Sequence, residues 1–220
     1  MRPAVVLLSG GLDSTVCLAV ALREGFTPWT LSFDYGQRHR RELEAAAAVA
    51  AALGVPPERR RVADLRGLFS GSALTGQGEV PLDRGAAEIG VGVPVTYVPA
   101  RNLVFLALTA ALAEPLGARD AFIGVNALDY SGYPDCRPEF IAAFTQAAAL
   151  GTQDGLQVHT PLARLSKAEI VALGAHLRAP LQLTLSCYLG TVPACGRCDA
   201  CQLRRRGFAE AGLPDPLAYA

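Results

Sequence analysis

The stretch AVVLLSGGLDSTVCLAVALREG, Ala4 to Gly25, decides the fold. Its first five residues, Ala4 to Leu8, are an unbroken apolar run that reads as a buried strand. The segment DSTVCLAVALREG reads as a helix that begins near Asp13 and stops at Gly25. The strand-to-helix turn between them holds Ser9, Gly10 and Gly11, with Asp13 and Ser14 at the helix start. Two glycines let the backbone bend sharply and present consecutive N–H groups, and the helix dipole adds positive field at the same place. The Ser9 and Ser14 hydroxyls supply further donors. The turn is therefore an anion cradle. It is neither the G-x-x-x-x-G-K-[ST] loop, which needs a lysine and longer spacing, nor the G-x-G-x-x-G dinucleotide fingerprint, which is absent.

Outward from this unit, apolar runs alternate with helical patterns. FTPWTLSFDYG (Phe26 to Gly36) reads as a second strand, followed by an alanine-rich helix from about Arg40 to Leu53. RRRVADL is a shorter strand. Residues 67–92 are glycine-dense and aperiodic, which predicts a long loop or lid near a site. VPVTYVPARN reads as another strand, with Asn102 capping the helix LVFLALTAALAEPLG, and DAFIGVN as a third strong strand. A helix over Pro138 to Leu150 follows. This alternation predicts an α/β fold with a doubly wound parallel sheet, in which ligands sit at the carboxyl ends of strands. The loops SGGLDS, DYGQRH, VPARN and NALDYSGYPDCR all fall there. The last forty residues change character, so the division is a nucleotide-binding domain over 1–180 and a small cysteine-rich module over 181–220.

At 220 residues and 51% hydrophobic content the chain is long and apolar enough for one sizeable core. Formal net charge is zero, which gives no global basic field and argues against a nucleic-acid partner. The clusters RHRR at Arg38 and RRR at Arg204 read as solvated faces. No apolar run is long enough for a membrane helix or a signal segment, so a cytoplasmic protein is expected; a homodimer is compatible with the chain. Of the 20 Lys and Arg residues only Lys167 is lysine, which marks 167 as a place where a compact ammonium is wanted.

Four of the six cysteines crowd into SCYLGTVPACGRCDAC as Cys187, Cys195, Cys198 and Cys201, a C-x7-C-x2-C-x2-C spacing. Four thiolates so placed close a tetrahedron around a structural zinc. The rival is an iron–sulfur cluster, although the C-x3-C-P continuation of the ferredoxin run is missing; optical absorption separates the two. Cys17 reads as core and Cys136 as a loop or pocket-wall thiol. His39, His159 and His176 have no metal-site spacing; His39 follows the second strand and stands near the ligand loops.

S-G-G-x-D-S directly after a first strand resembles the pyrophosphate loop of the N-type ATP pyrophosphatases (PP-loop superfamily), which share an adenine nucleotide alpha hydrolase-like, Rossmann-like fold and cleave ATP to AMP and pyrophosphate. FDYGQRH at Phe33, VPARN at Val98, NALDYSGYPDCRPEF at Asn126, TPLARLSKAEI at Thr160, and SCYLG with CGRCDACQLRRRGF from Ser186 narrow the resemblance to the 7-cyano-7-deazaguanine synthase family of queuosine biosynthesis. One departure is Ala100, where that family often has glycine. The resemblance implies an ATP-dependent carbon–nitrogen ligase that converts 7-carboxy-7-deazaguanine and ammonia to the nitrile through adenylated carboxylate and amide intermediates. It implies that Leu8, Ser9, Gly10, Gly11, Leu12, Asp13, Ser14 and Thr15 bind ATP, and that Ser9, Asp13, Ser14, Arg101 and Lys167 carry the chemistry. Mg2+ would bridge the phosphates, with one structural Zn2+ per chain on Cys187, Cys195, Cys198 and Cys201. Asp129, Tyr130, Tyr133, Asp135 and Arg137 are assigned as a group to the deazaguanine ring, carboxylates to its N–H edge and tyrosines to its π face. The competing readings are a PP-loop tRNA thiolase, which needs an RNA surface and reactive thiols, and a zinc-stapled nucleic-acid-binding module with a vestigial loop.

Overall fold

A computed structural model of the chain describes residues 2–85, 88–89, 91–126 and 132–220. The strands are β1 (Arg2–Leu7), β2 (Phe26–Asp34), β3 (Arg60–Asp64), β4 (Asp120–Phe122) and β5 (Gln157–His159). They form one parallel sheet in the order β3-β2-β1-β4-β5. The helices are α1 (Leu12–Arg23), α2 (Arg41–Ala52), α3 (Arg101–Ala113), α4 (Pro138–Gly151), α5 (Lys167–His176) and α6 (Asp199–Glu210). Successive residues of β1 explain the layering. Val5 and Leu7 face a core shared with Leu106 of α3 and Ile141 of α4. Ala4, Val6 and Leu8 face a second core with Val16 and Leu18 of α1, Val49 of α2 and Ile170 of α5. A strand covered on both faces has no polar alternation, which is why the run from Ala4 to Leu8 carries no polar residue.

The chain winds outward from β1 to β3, then returns to place β4 on the other side of β1. This reversal opens a crevice beyond the carboxyl ends of β1 and β4, the place where such sheets take ligands. α1 starts at Leu12 and ends before Gly25, whose φ of +82° makes the turn into β2. The C-terminal segment packs back on both cores. Phe208 of α6 is buried with Val6 and Ile170, and Cys187, Cys198 and Cys201 are buried with Val5 and Leu7 in the other cluster.

Three local readings need correction. VPVTYVPARN does not form a strand: Val93 and Val95 are exposed, and the Val95 carbonyl accepts from the Ala73 N–H at 2.8 Å. Pro94 and Pro99 deprive it of ladder donors, and β4 already fills the slot beside β1. Asn102 does not cap α3. The cap position is Ala100, at φ +56°, and the orphan N–H of Asn102 is taken instead by the Asp135 carboxylate at 2.8 Å. Left-handed backbone at an alanine costs about 1–2 kcal/mol, so the departure from glycine at 100 falls where a missing Cβ would help most. Arg204 is not on a solvated face. It is 1% exposed, bonded to Asp215 at 2.9 Å and to the Leu181 carbonyl at 3.2 Å, with its guanidinium 5.1 Å from the Phe208 ring centre. Within the glycine-dense stretch, Ser72, Ala73, Leu74 and Val80 are buried, and Arg38 ties the segment down through the Ala73 carbonyl at 2.5 Å.

Candidate active site

The crevice is a cleft of about 250 Å3. The turn after β1 forms one wall. The Ser9 hydroxyl lies 3.0 Å from that of Ser14, which donates to the Gly11 carbonyl at 3.1 Å, while the Gly11 N–H donates to the Ser9 hydroxyl at 3.3 Å. Thr15 donates to the same carbonyl at 2.8 Å from a fully buried position. Gly10 adopts φ +81°, and a Cβ there would stand 2.5 Å from the Glu42 carbonyl and 2.6 Å from the Ala46 N–H. The first turns of α2 are thus seated directly on the loop, and only glycine fits beneath them. Leu8, Ser9, Gly11, Leu12, Asp13 and Ser14 line the cleft, whereas Gly10 and Thr15 support the turn from behind.

Lys167 enters from the first position of α5. Its Nζ donates to both Asp13 carboxylate oxygens at 2.8 Å. The helix is started by Ser166, whose hydroxyl accepts from the Glu169 N–H while Glu169 reaches back, a complete capping box that fixes where the lysine begins. Gly207 of α6 closes against the lysine stem: a Cβ at 207 would lie 2.4 Å from the Lys167 Cγ. Arg101 enters from the start of α3. It donates to the Tyr35 hydroxyl at 3.3 Å and lies over the Tyr35 and Phe105 rings. Burial opposes its charge, but Tyr35, Tyr133, Asp135 and Cys136 outweigh that and hold the guanidinium firmly protonated. Two fixed cations beside an amide-rich turn give the cleft an anion-binding end. Its apolar end holds Leu31, Phe33, Phe105, Ile123 and Val125, with Phe33 stacked on Phe105 at 3.8 Å between ring centres.

Of the residues assigned to the ring, Asp129 and Tyr130 lie outside the described residues. Tyr133 lines the cleft and pairs its hydroxyl with Thr96 at 2.9 Å. Asp135 is buried beneath the wall, holding the start of α3, and Arg137 is exposed at the entrance to α4. Cys136 reaches the cleft, but burial and then Asp135 push its thiol up to about 12, so it stays protonated and a poor nucleophile. Tyr35, Gln37, Glu42, Asn126, Tyr188 and Arg204 also line the cleft and escaped the sequence reading. The signal that points to Glu42 is DYGQRH at a strand's carboxyl end, since Glu42 follows it by one helical turn.

The sulfur atoms of Cys187, Cys195, Cys198 and Cys201 all lie within 4.8 Å of one another. A tetrahedral zinc with bonds of about 2.3 Å requires sulfurs about 3.8 Å apart; Cys195 and Cys201 are at 3.9 Å. The Cys195 N–H points at the Cys187 sulfur (3.5 Å) and the Cys198 N–H at the Cys195 sulfur (3.4 Å). Hydrogen bonds from Cys198 and Cys201 pull the Cys187 thiol down, and those same contacts push Cys198 up to about 12 and Cys201 higher. His39 packs on Gly190 and its Nε2 lies 3.1 Å from the Cys187 carbonyl, outside the cleft lining. No helix among the described residues is long and apolar enough to cross a membrane.

The family model described as queuosine biosynthesis protein QueC matches residues 3–212. The chain is 56% identical to the 7-cyano-7-deazaguanine synthase of Solidesulfovibrio magneticus over 99% of its own length and 96% of the relative's. It is 54% identical to that of Myxococcus xanthus, over 100% and 98%. The corresponding protein of Thermoplasma volcanium is 53% identical, over 99% and 91%. A crystal structure described as a predicted subunit of tRNA methyltransferase from Methanocaldococcus jannaschii shares the fold, with a TM-score of 0.50, 18% identity, and coverage of 80% of this chain and 75% of that one.

Proposed function

The chain belongs to the queuosine biosynthesis protein QueC family, and from that premise we propose that its cleft makes 7-cyano-7-deazaguanine from 7-carboxy-7-deazaguanine, ammonia and ATP. The observation that carries this reading is the convergence of the Ser9–Ser14 turn, the Asp13–Lys167 pair and Arg101 on one cleft with an apolar, tyrosine-lined end. A carboxylate is a poor electrophile. One of its oxygens must attack the α-phosphorus of ATP, forming an acyl adenylate and expelling pyrophosphate. In this reading the amides around Gly11 and the Ser9 and Ser14 hydroxyls hold the leaving pyrophosphate, and Lys167 and Arg101 balance the charge that grows on it. Asp13 aims the ammonium and sits in the first turn of α1, where the helix dipole favours its charge. Ammonia then displaces AMP to give the amide. A second ATP activates the amide oxygen, and departure of AMP leaves the nitrile.

Both Asp13 oxygens are engaged by Lys167, so Mg2+ fits as an ion carried in on the phosphate oxygens of ATP, where it neutralises polyphosphate charge. Zinc fits the tetrathiolate as a purely structural ion with no open position. In this reading Tyr133, which lines the cleft, stacks on the deazaguanine ring. The reading extends to a cytoplasmic enzyme acting on small molecules, with residues 181–220 as a metal-stapled module beside the nucleotide-binding part.

Incubation of the metal-replete protein with ATP, ammonium and 7-carboxy-7-deazaguanine should yield the nitrile mass with two AMP and two pyrophosphate per nitrile, because two oxygens leave by separate activations. ATP consumption without a nitrile product would defeat the assignment. Within the same assay, Ser14→Ala should lower turnover about 100-fold, since its hydroxyl both orders Ser9 and faces the cleft. Thermal unfolding should change little. Turnover within threefold of the parent would remove Ser14 from the cradle.

A further inference from the structure

Resting on the nitrile-forming reading above, we propose that the Glu42 carboxylate receives the incoming ammonium and takes the protons that its nitrogen sheds. Ammonia in neutral water is almost entirely ammonium, a cation, and the anion-binding end of the cleft repels it. The cleft-lining residues include two carboxyl groups among the described residues, Asp13 and Glu42. Asp13 is spent on Lys167 through both oxygens. No hydrogen bond from the described residues reaches the Glu42 carboxyl. It sits deep among protein atoms, although the residue keeps part of its surface open to the cleft.

Its placement is fixed from below. The Glu42 carbonyl is the atom against which Gly10 is packed, so this side chain rises from the first turn of α2 immediately beside the pyrophosphate turn. The titratable and charged groups around it are Arg101 on α3 and Tyr35 after β2, with Asp13, Lys167, Arg204, Tyr133, Cys136 and Tyr188 elsewhere in the lining and Arg41 and Glu44 on its own helix. Tyr35 and Cys136 are each pushed up to about 12 by burial, and Arg101 stays charged. Burial pushes Glu42 up to about 7 while Arg101 pulls it back. That leaves it half ionised at neutral pH, where a general base works best.

The proton accounting closes. Ammonium gives one proton to Glu42, its lone pair attacks the acyl carbon, and AMP leaves with the electrons of the carbon–oxygen bond. The protonated nitrogen of the adduct sheds a second proton by the same route to give the amide. After the second adenylation the cationic imidate nitrogen passes one N–H proton to Glu42; a second N–H proton then follows by the same route, its bonding electrons becoming the third carbon–nitrogen bond as AMP departs with the electrons of the carbon–oxygen bond. Glu42 returns each proton to solvent between steps.

Glu42→Gln is nearly isosteric and keeps the docking of α2 on Gly10. Carboxylate-dependent exchange of labelled pyrophosphate into ATP, measured without ammonia, should stay within twofold of the parent. Amide and nitrile formation should fall at least 100-fold. At fixed total ammonium the parent's amination should rise through about pH 7 and level off, whereas the variant's should climb tenfold per pH unit with free ammonia. Glu42→Asp, read for amination at unchanged melting temperature, should recover part of the loss. Amination by Glu42→Gln within threefold of the parent, or parallel loss of pyrophosphate exchange, would overturn the proposal. A parent that exchanges no pyrophosphate would instead refute the adenylation reading beneath it.

Discussion

A Lys167→Met protein is expected to lose pyrophosphate release and nitrile formation by about 10⁴-fold while remaining folded. The lysine is 6% exposed, bonded twice to Asp13, and its stem is packed on the bare backbone of Gly207. Methionine preserves that apolar stem and removes only the charge. Each tenfold loss of rate corresponds to about 1.4 kcal/mol, so the expected effect is about 5–6 kcal/mol of transition-state stabilisation, within reach of a desolvated cation on a departing polyphosphate. Stability should fall by less. Asp13 loses its partner but keeps the α1 dipole and an opening to solvent. Lys167→Arg should not restore the rate, because the fork of a guanidinium needs width that Gly207 and Asp13 deny it. Pyrophosphate exchange reports the effect directly. Turnover of the methionine variant within tenfold of the parent would show that Lys167 is there only to hold Asp13.

Cys198→Ser should lower bound metal from one equivalent to near zero and the melting temperature by about 8–16 °C. Three of the four thiols, Cys187, Cys198 and Cys201, are wholly buried. A structural metal contributes directly to folding free energy. A loss of only about 4 kcal/mol, at about 2–4 °C per kcal/mol for a chain of this size, gives that range. Chelation of the parent should reproduce the shift. Metal analysis and calorimetry on the same sample check both numbers, and unchanged stoichiometry would dismiss the tetrathiolate. Absorbance read alongside separates zinc from an iron–sulfur cluster.

The β1–turn–α1 unit was legible because a doubly covered strand has no alternation and two glycines between serines have few structural uses. The parallel sheet followed from simple alternation of elements, and the thiol tetrad from spacing alone. What escaped detection shares one physical cause: it depends on partners distant in sequence. VPVTYVPARN has strand composition, yet the sheet had no vacancy for it. Arg204 looked like one of three surface arginines until Asp215, Thr184 and Phe208 closed around it. Asn102 looked like a cap because the real acceptor, Asp135, arrives from 33 residues away. Glu42 stands one helical turn past DYGQRH, but what gives it a role lies far away in sequence. Its neighbour Gly10 is 32 positions earlier, and its charge is set first by burial in the folded cleft and then by Arg101 on another helix.

The contact between Gly207 and Lys167 ties together two parts of the molecule that would otherwise be freely exchangeable. A cysteine-rich tail transplanted from a distant homologue will support ATP chemistry only if it brings a residue without a side chain opposite the lysine. Chimeras bearing alanine there should assemble their metal centre normally and still be slow enzymes.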